Sequence, residues 1–409
     1  MKGARGEGPR GKGATGKVAF IALALLCTAA TGAAQTGLTA GSQLALVYDA
    51  ILDARFGQVP SLLRQTCRSA SAAVGSGAQA REDLAPAEAC QLLELVSLWW
   101  QIQLDPGNRS HDREFRARAD ASIAAIETWT GREPMRAEAW FYLGGAYGAR
   151  SQWRVLREER LAAARDGKRI KSALERALEL DPALQDAYFG IGLYHYYADV
   201  APAALKMLRW LLLLPGGNRV EGLREMLRAR SGGQLLRSEA DYQLHLVYLW
   251  YEKETEQALK LLRGLQDRYP RNPHFPQRIA EIEDVYLHDS QASLRSYQGL
   301  LAAVQARRVA EPSLAETSAR LGMARQLDRL SDNEAAIAHL RAVIDAKPSA
   351  PFGAIARAQL QLGQVLDHAG RRAEALSAYR AAIESAPPGD PDRIVAAARA
   401  GLRAPHAKR

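Results

Sequence analysis

The side chains that do most enzyme chemistry are sparse in this chain. It has eight His in 409 residues, none in an H-E-x-x-H arrangement or beside a Cys at metal-ligand spacing. His195 and Asp199 stand one helical turn apart, a spacing at which two side chains can share a ligand. No G-x-S-x-G, kinase-loop or dinucleotide-binding glycine pattern occurs. Residues 11–18, GKGATGKV, fit G-x-x-x-x-G-K. Val18 stands where a hydroxyl must bind Mg²⁺, and an apolar run follows instead of a phosphate-binding helix. Asn108-Arg109-Ser110 is a glycan acceptor only in a host that glycosylates. No catalytic set, metal or cofactor is expected, and the chain does not read as an enzyme.

Two other groups of residues suit chemistry of a different kind. Residues 149–171 hold eight Lys/Arg and three Asp/Glu. Arg154, Arg157, Arg160 and Arg165 fall on neighbouring turns of one helix, with Lys168 and Arg169 beyond them. Guanidinium forks suit carboxylate or phosphate, so this stretch reads either as a patch for an acidic partner, a lipid headgroup or an envelope polymer, or as a solvated face with Glu158 and Glu159 as internal partners. Cys67 and Cys90 form an even pair. They lie in helices expected over 60–74 and 86–103, at similar depths of an antiparallel pair, and a disulfide is expected between them. The alternative is two buried thiols.

The elements that would position these residues are almost all helical. Hydrophobic residues make up 47% of the chain and charged residues 24%, a balance that supports a large core and excludes disorder as the default. Residues 1–17 carry five Lys/Arg and one Glu, and VAFIALALLCTAATGAA follows. This matches a basic region, an apolar region and a small-residue cleavage zone near Ala34, so 1–34 is expected to be a signal peptide. The protein would then be periplasmic or secreted, an oxidising setting that suits a disulfide. The run Val18–Leu26 is short for a span of about 30 Å, although an uncleaved anchor is the other reading. Removal of the signal lowers the formal charge from +9 to about +5. That modest excess gives no case for nucleic acid.

After residue 43, apolar residues recur at i, i+3, i+4 and i+7, broken by short Pro, Gly or Asp punctuation. About nineteen helices are expected, and they look paired. Trp140, Leu143, Gly144 and Tyr147 are followed by Leu174, Ala177 and Pro182. Tyr188, Ile191, Gly192 and His195 open the next unit. Leu321, Gly322, Ala336, Leu340 and Pro348 form another. Leu362, Gly363, Gly370, Ala375, Tyr379, Ala382 and Pro387 form the cleanest. A small residue lets two helices approach, large ones fill the space between pairs, and Pro stops the second helix.

These residues resemble the tetratricopeptide-repeat superfamily, over residues 137–387. The resemblance implies an all-α, right-handed α-α superhelical solenoid of helix pairs that binds proteins or peptides and has no catalytic residues of its own. Residues 43–132 would be divergent pairs capping one end, 149–171 an inserted helix, and 391–409 a capping helix with a basic tail. In such repeats His195 takes a packing position. The inner surface would be lined by Phe141, Phe189, Leu193, Tyr196, Tyr197, Tyr242, Leu246 and Trp250. This run makes either a groove for a peptide or acyl chain, or core if the superhelix closes on itself. Residues 201–217 read as a helix buried between pairs or as a docking helix at a membrane surface. A fainter likeness over 190–223, to repeat proteins of the inclusion-body clearance type, bears on fold only. The functional expectation is an exported scaffold for a protein or peptide in the cell envelope. The alternative is an accessory factor for envelope lipid or polysaccharide that binds anionic groups through the Arg-rich stretch.

Overall fold

The computed structural model describes residues 37–67, 84–200, 216–390 and 392–407. The segments expected to be the signal peptide and the 201–215 helix lie outside these. The described residues fall within one compact unit, Thr36–Arg409, and hold seventeen α-helices and no sheet.

Most of the helices form antiparallel pairs. The pairs are α3 (Ala87–Leu104) with α4 (Asp112–Arg132), α5 (Ala137–Leu156) with α6 (Arg160–Leu180), and α7 (Ala187–Val200) with α8 (Arg219–Gly232). Next come α9 (Arg237–Val247) with α10 (Thr255–Arg268), α11 (His274–Val285) with α12 (Ser290–Gln305), α13 (Pro312–Arg329) with α14 (Asn333–Ala346), and α15 (Ala354–His368) with α16 (Arg372–Glu384). The closing helix α17 (Ile394–Arg403) packs on α15 and α16. Each helix also packs on the one that follows it, and α3 on α5, α5 on α7 and α13 on α15 make contact between first helices of adjacent pairs. A helix with an apolar stripe cannot hide it alone. Stacking pair on pair lets one stripe serve two neighbours.

Local chemistry sets the helix ends. Asn218, Asp289 and Asp332 cap α8, α12 and α14 by accepting the backbone N–H three residues on. Pair closeness comes from glycine. A Cβ on Gly192 would lie 2.7 Å from the Gly222 carbonyl oxygen, and one on Gly222 would lie 2.5 Å from the Gly192 carbonyl oxygen. The obstacle on both sides is backbone, which cannot swing away as a side chain does.

Two expectations about the layout of the pairs change in the structure. Residues 149–171 do not form an inserted helix. They lengthen both members of one pair, turning at Arg157–Glu159, where Glu158 is left-handed with φ 64°. The physical reason is burial: Trp153 and Ala163 stay in the pair's interior, so the same two stripes simply run further. The segment 43–132 is also not a single end cap. The α3–α4 pair stacks on α5 as any pair would, but α1 (Gly41–Leu52) follows a different course.

α1 lies across the starts of the first helices. Thr39, just before it, donates its N–H and hydroxyl to Glu138 of α5 at 2.7 and 2.9 Å. Tyr48 donates to Glu239 of α9 at 2.9 Å, and Tyr269 donates to Asp49 at 2.6 Å. The loop into α11 donates from the Arg271 N–H to Asp53 and from the Asn272 amide to the Leu52 carbonyl. Leu44, Val47, Ile51 and Leu52 are fully buried in the main core with residues from α3, α5, α9 and α11. α2 (Val59–Thr66) packs on α1 and α3. It ends at Thr66, so Cys67 stands in extended backbone and not in a helix reaching 74. Cys67 is joined to Cys90 in α3, with Cα atoms 6.2 Å apart.

Two measurements check this packing. Gly222→Ala should lower the free energy of urea unfolding by about 1–3 kcal/mol; an unchanged midpoint would mean α7 and α8 are not in backbone contact. Reduction of the disulfide releases a loop spanning 23 positions. It should cost roughly 3 kcal/mol in the chain-entropy account, seen as a lower melting temperature in reductant.

Candidate partner-binding site

The expected inner-surface residues do not share one environment. Phe141, Phe189, Tyr196 and Tyr242 are buried, Leu193, Tyr197 and Leu246 are half-buried, and Trp250 is exposed. Tyr242 is covered by Trp100 of α3, with ring centroids 5.0 Å apart, and its hydroxyl meets His274 Nε2 at 2.9 Å. Phe141 sits in the same core as α1. Tyr196 packs with Met226, Leu244 and Val247 and donates its hydroxyl to Glu252. Tyr197 stands edge-on to Tyr251 at 5.6 Å. In sequence order these aromatics look like one stripe. In space α1 and α3 cover the stripe over α5 and α9, and its last member points outward.

Covering the row buries ionisable groups. Glu239 is deep in the core, held by Tyr48 and Gln243, with no cation bound to it among the described residues. Burial pushes its carboxyl above the ordinary range. Burial likewise lowers His245 to about 3, while its Nδ1 meets the Tyr242 carbonyl. His274 is held well below its usual value by the same burial. Asp186 joins α7 to α9 by accepting three backbone N–H groups, from Gln234, Leu235 and Leu236.

The Arg-rich stretch divides into struts and free cations. Asp166, fully buried, accepts a two-pronged contact from Arg150 at 2.8 and 3.0 Å and a further bond from Arg154 at 2.6 Å. Arg169 lies 3.5 Å from the same carboxylate and over the Tyr147 ring. Arg157 is 6% exposed and binds Asp112 and the carbonyls of Pro106 and Asn108. A buried carboxylate needs such partners, so Arg154 and Arg157 are consumed internally. Arg160, Arg165 and Lys168 remain exposed and, among the described residues, make no ion pair.

His195 is not paired with Asp199. Its Nδ1 meets Glu225 of α8 at 2.8 Å, and Asp199 accepts the Arg219 N–H. Neither contact includes a nucleophile. Among the described residues, no group of three His, Cys, Asp or Glu side chains is arranged to hold a metal ion. No described helix is long and apolar enough to cross a membrane.

The exposed apolar side chains were not singled out in the sequence, apart from Trp250. Half of them gather on the turns between first and second helices of three successive pairs. Trp250 (47% exposed) and Tyr251 sit on a π turn, Tyr248–Glu252, that extends α9. Val285, Tyr286 and Leu287 end α11, and Leu330 ends α13. Arg329 and Arg325 both reach Asp284, which brings the last two turns side by side. Exposed Glu254, Glu256, Asp289 and Asp332 flank them in the chain, and the exposed cations there are Lys253 and the Asp284-paired Arg325 and Arg329. Only the combination of π geometry and exposure reveals this edge; periodicity alone places the same residues at helix ends.

Residues 356–388 match the family model for the tetratricopeptide repeat. No curated protein matches. Among solved structures, the chain is similar to yeast Tom70 at 13% identity and a TM-score of 0.40, covering 76% of this chain and 64% of that one. It is also similar to NprR in complex with its cognate peptide NprX, at 11% identity and a TM-score of 0.40, covering 88% and 82%. The chain thus spans less than two thirds of the Tom70 chain.

The buried histidines predict an acid response. A His kept neutral in the fold refuses a proton that the unfolded chain takes up below about pH 6.5. Its contribution is therefore complete near neutrality and is lost as pH falls from about 6.5 toward 3. Glu239 acts with the opposite sign, favouring the fold at low pH and less so as pH rises through its raised value. For His245 alone the loss at pH 4 is about 3 kcal/mol. His245→Gln should flatten the fall in unfolding free energy between pH 7 and pH 4; equal slopes in the two proteins would place a charged or exposed imidazole at 245.

Proposed function

We propose, from the premise that this chain is a tetratricopeptide-repeat protein, that it is a non-enzymatic scaffold binding a protein or peptide partner in the cell envelope. The 356–388 repeat and the succession of antiparallel helix pairs support the premise. One observation carries the site: the apolar, acid-rimmed turn edge around Trp250, Tyr251, Tyr286 and Leu287. Large aromatics exposed together are costly to leave in water and are characteristic of contact surfaces. The surface lined by first helices is already occupied by α1 between α5 and the loop into α11. A partner therefore meets the turns. The chemistry there fits a segment that pairs apolar side chains with Lys or Arg.

Export rests on the basic-then-apolar character of residues 1–34. The Cys67–Cys90 bond supports it, because such bonds persist in oxidising compartments. Sequencing the N-terminus of the protein recovered from a periplasmic fraction checks the cleavage near Ala34.

The partner site is tested in cells by photo-crosslinking residues placed at 250, 286 and, as a control on the opposite side of the pairs, 135. Adducts to one protein at 250 and 286, abolished by Trp250→Ala with Leu287→Asp at unchanged melting temperature, are expected. Adducts at 135 alone would remove the turn edge as the binding surface.

A further inference from the structure

We propose that the free end of the α5–α6 hairpin docks on an anionic lipid surface, separately from the protein-binding edge. The hairpin is long: α5 has 20 residues and α6 has 21, against 11 and 14 in α9 and α10. Its turn is flanked by Val155, 61% exposed, and Leu161, 56% exposed. Both residues stand more than half exposed.

Cations ring this apolar tip. Arg157 pins the turn to the start of α4 through Asp112 and the carbonyls of Pro106 and Asn108. That anchor brings Arg109 and Arg113 to the same end of the molecule. With Arg160, Arg165 and Lys168 they are exposed and make no ion pair among the described residues. Arg116 lies over the Trp153 ring at 5.2 Å and 4.0 Å from Glu159. The acids nearby do not cancel the ring. Glu159 faces Arg116 and Arg154, Glu114 faces Arg118, and of these acids Glu158 alone is left without a cation among the described residues. The internal network on Asp166 keeps the hairpin stiff, so the tip is presented as a fixed shape.

The combination selects the occupant. A free acidic polymer or an acidic protein would use the guanidinium groups and leave Val155 and Leu161 in water. A lipid surface uses both. Its headgroups attract the cations within a Debye length, and its acyl boundary takes the two apolar side chains. Either signal alone gives weak attachment, and the two together add.

The test places a reporter at the tip of the full chain. Val155→Trp is mixed with vesicles of phosphatidylcholine and phosphatidylglycerol whose acyl chains are brominated, and the added fluorescence is compared with that of the parent. A probe at 155 reports insertion there, whatever the apolar run in residues 18–26 does. Quenching should rise with phosphatidylglycerol content and vanish at high salt. It should also weaken about tenfold or more in a background of Arg113→Glu with Arg160→Glu, and Leu161→Ser should weaken vesicle binding with helical circular dichroism unchanged. No quenching, or equal quenching on phosphatidylcholine alone, overturns the proposal. Binding of polyglutamate that is lost on charge reversal, with vesicles left unbound, also overturns it and assigns the patch to an acidic protein.

Discussion

The structure depends on covering the apolar row formed by the first helices. Stacked pairs bury the stripes that face one another, yet each first helix keeps a second apolar side. α1 covers that side from α5 to the loop into α11. Its fully buried Leu44, Val47 and Ile51 supply the apolar contact, and side-chain hydrogen bonds at Thr39, Tyr48 and Asp49 set its register. Apolar contact is not directional, so the polar bonds decide which residues meet. The consequence is a core with ionisable groups inside it. Glu239, His245 and His274 are held away from their ordinary titration because the helix above them keeps water out.

A second constraint acts at the long hairpin. Asp166 is a full charge in the interior, and a carboxylate there is tolerated only with close, well-oriented partners. Arg150 and Arg154 provide them, and Arg157 performs the related task of joining the turn to α4. Arg is suited to this because its planar fork makes several bonds at fixed angles. Using these three inside the structure leaves the remaining cations outside. A cluster that is uniform in composition is therefore split into supports and a charged tip.

The two sides of the pairs differ in what they expose. The side carrying α1 is closed by the chain itself from α5 to the loop into α11. The turn side carries large apolar residues at three consecutive pairs, with acids at the helix N-caps Asp289 and Asp332. Those acids have a structural task, since they satisfy N–H groups that open α12 and α14. Asp289 and Asp332 in the acidic rim are thus by-products of helix capping, whereas Glu254 makes no capping bond.

Helix content, the pair unit at 356–388 and the readiness of Cys67 and Cys90 to join were legible in the chain, because each rests on spacing within a few tens of residues. Leu362, Gly363 and Tyr379 read correctly since the close approach of Gly363 to Tyr379 is a contact inside one pair. What joins distant residues was decided only in three dimensions. Tyr48 with Glu239 and Asp49 with Tyr269 join residues 191 and 220 positions apart, and no periodicity encodes them. The same holds for the aromatics: a helix position says which way a side chain points, but whether another element lies over it depends on where a remote segment folds. Burial of Tyr242 and exposure of Trp250, eight residues apart, follow from α3 reaching one and not the other.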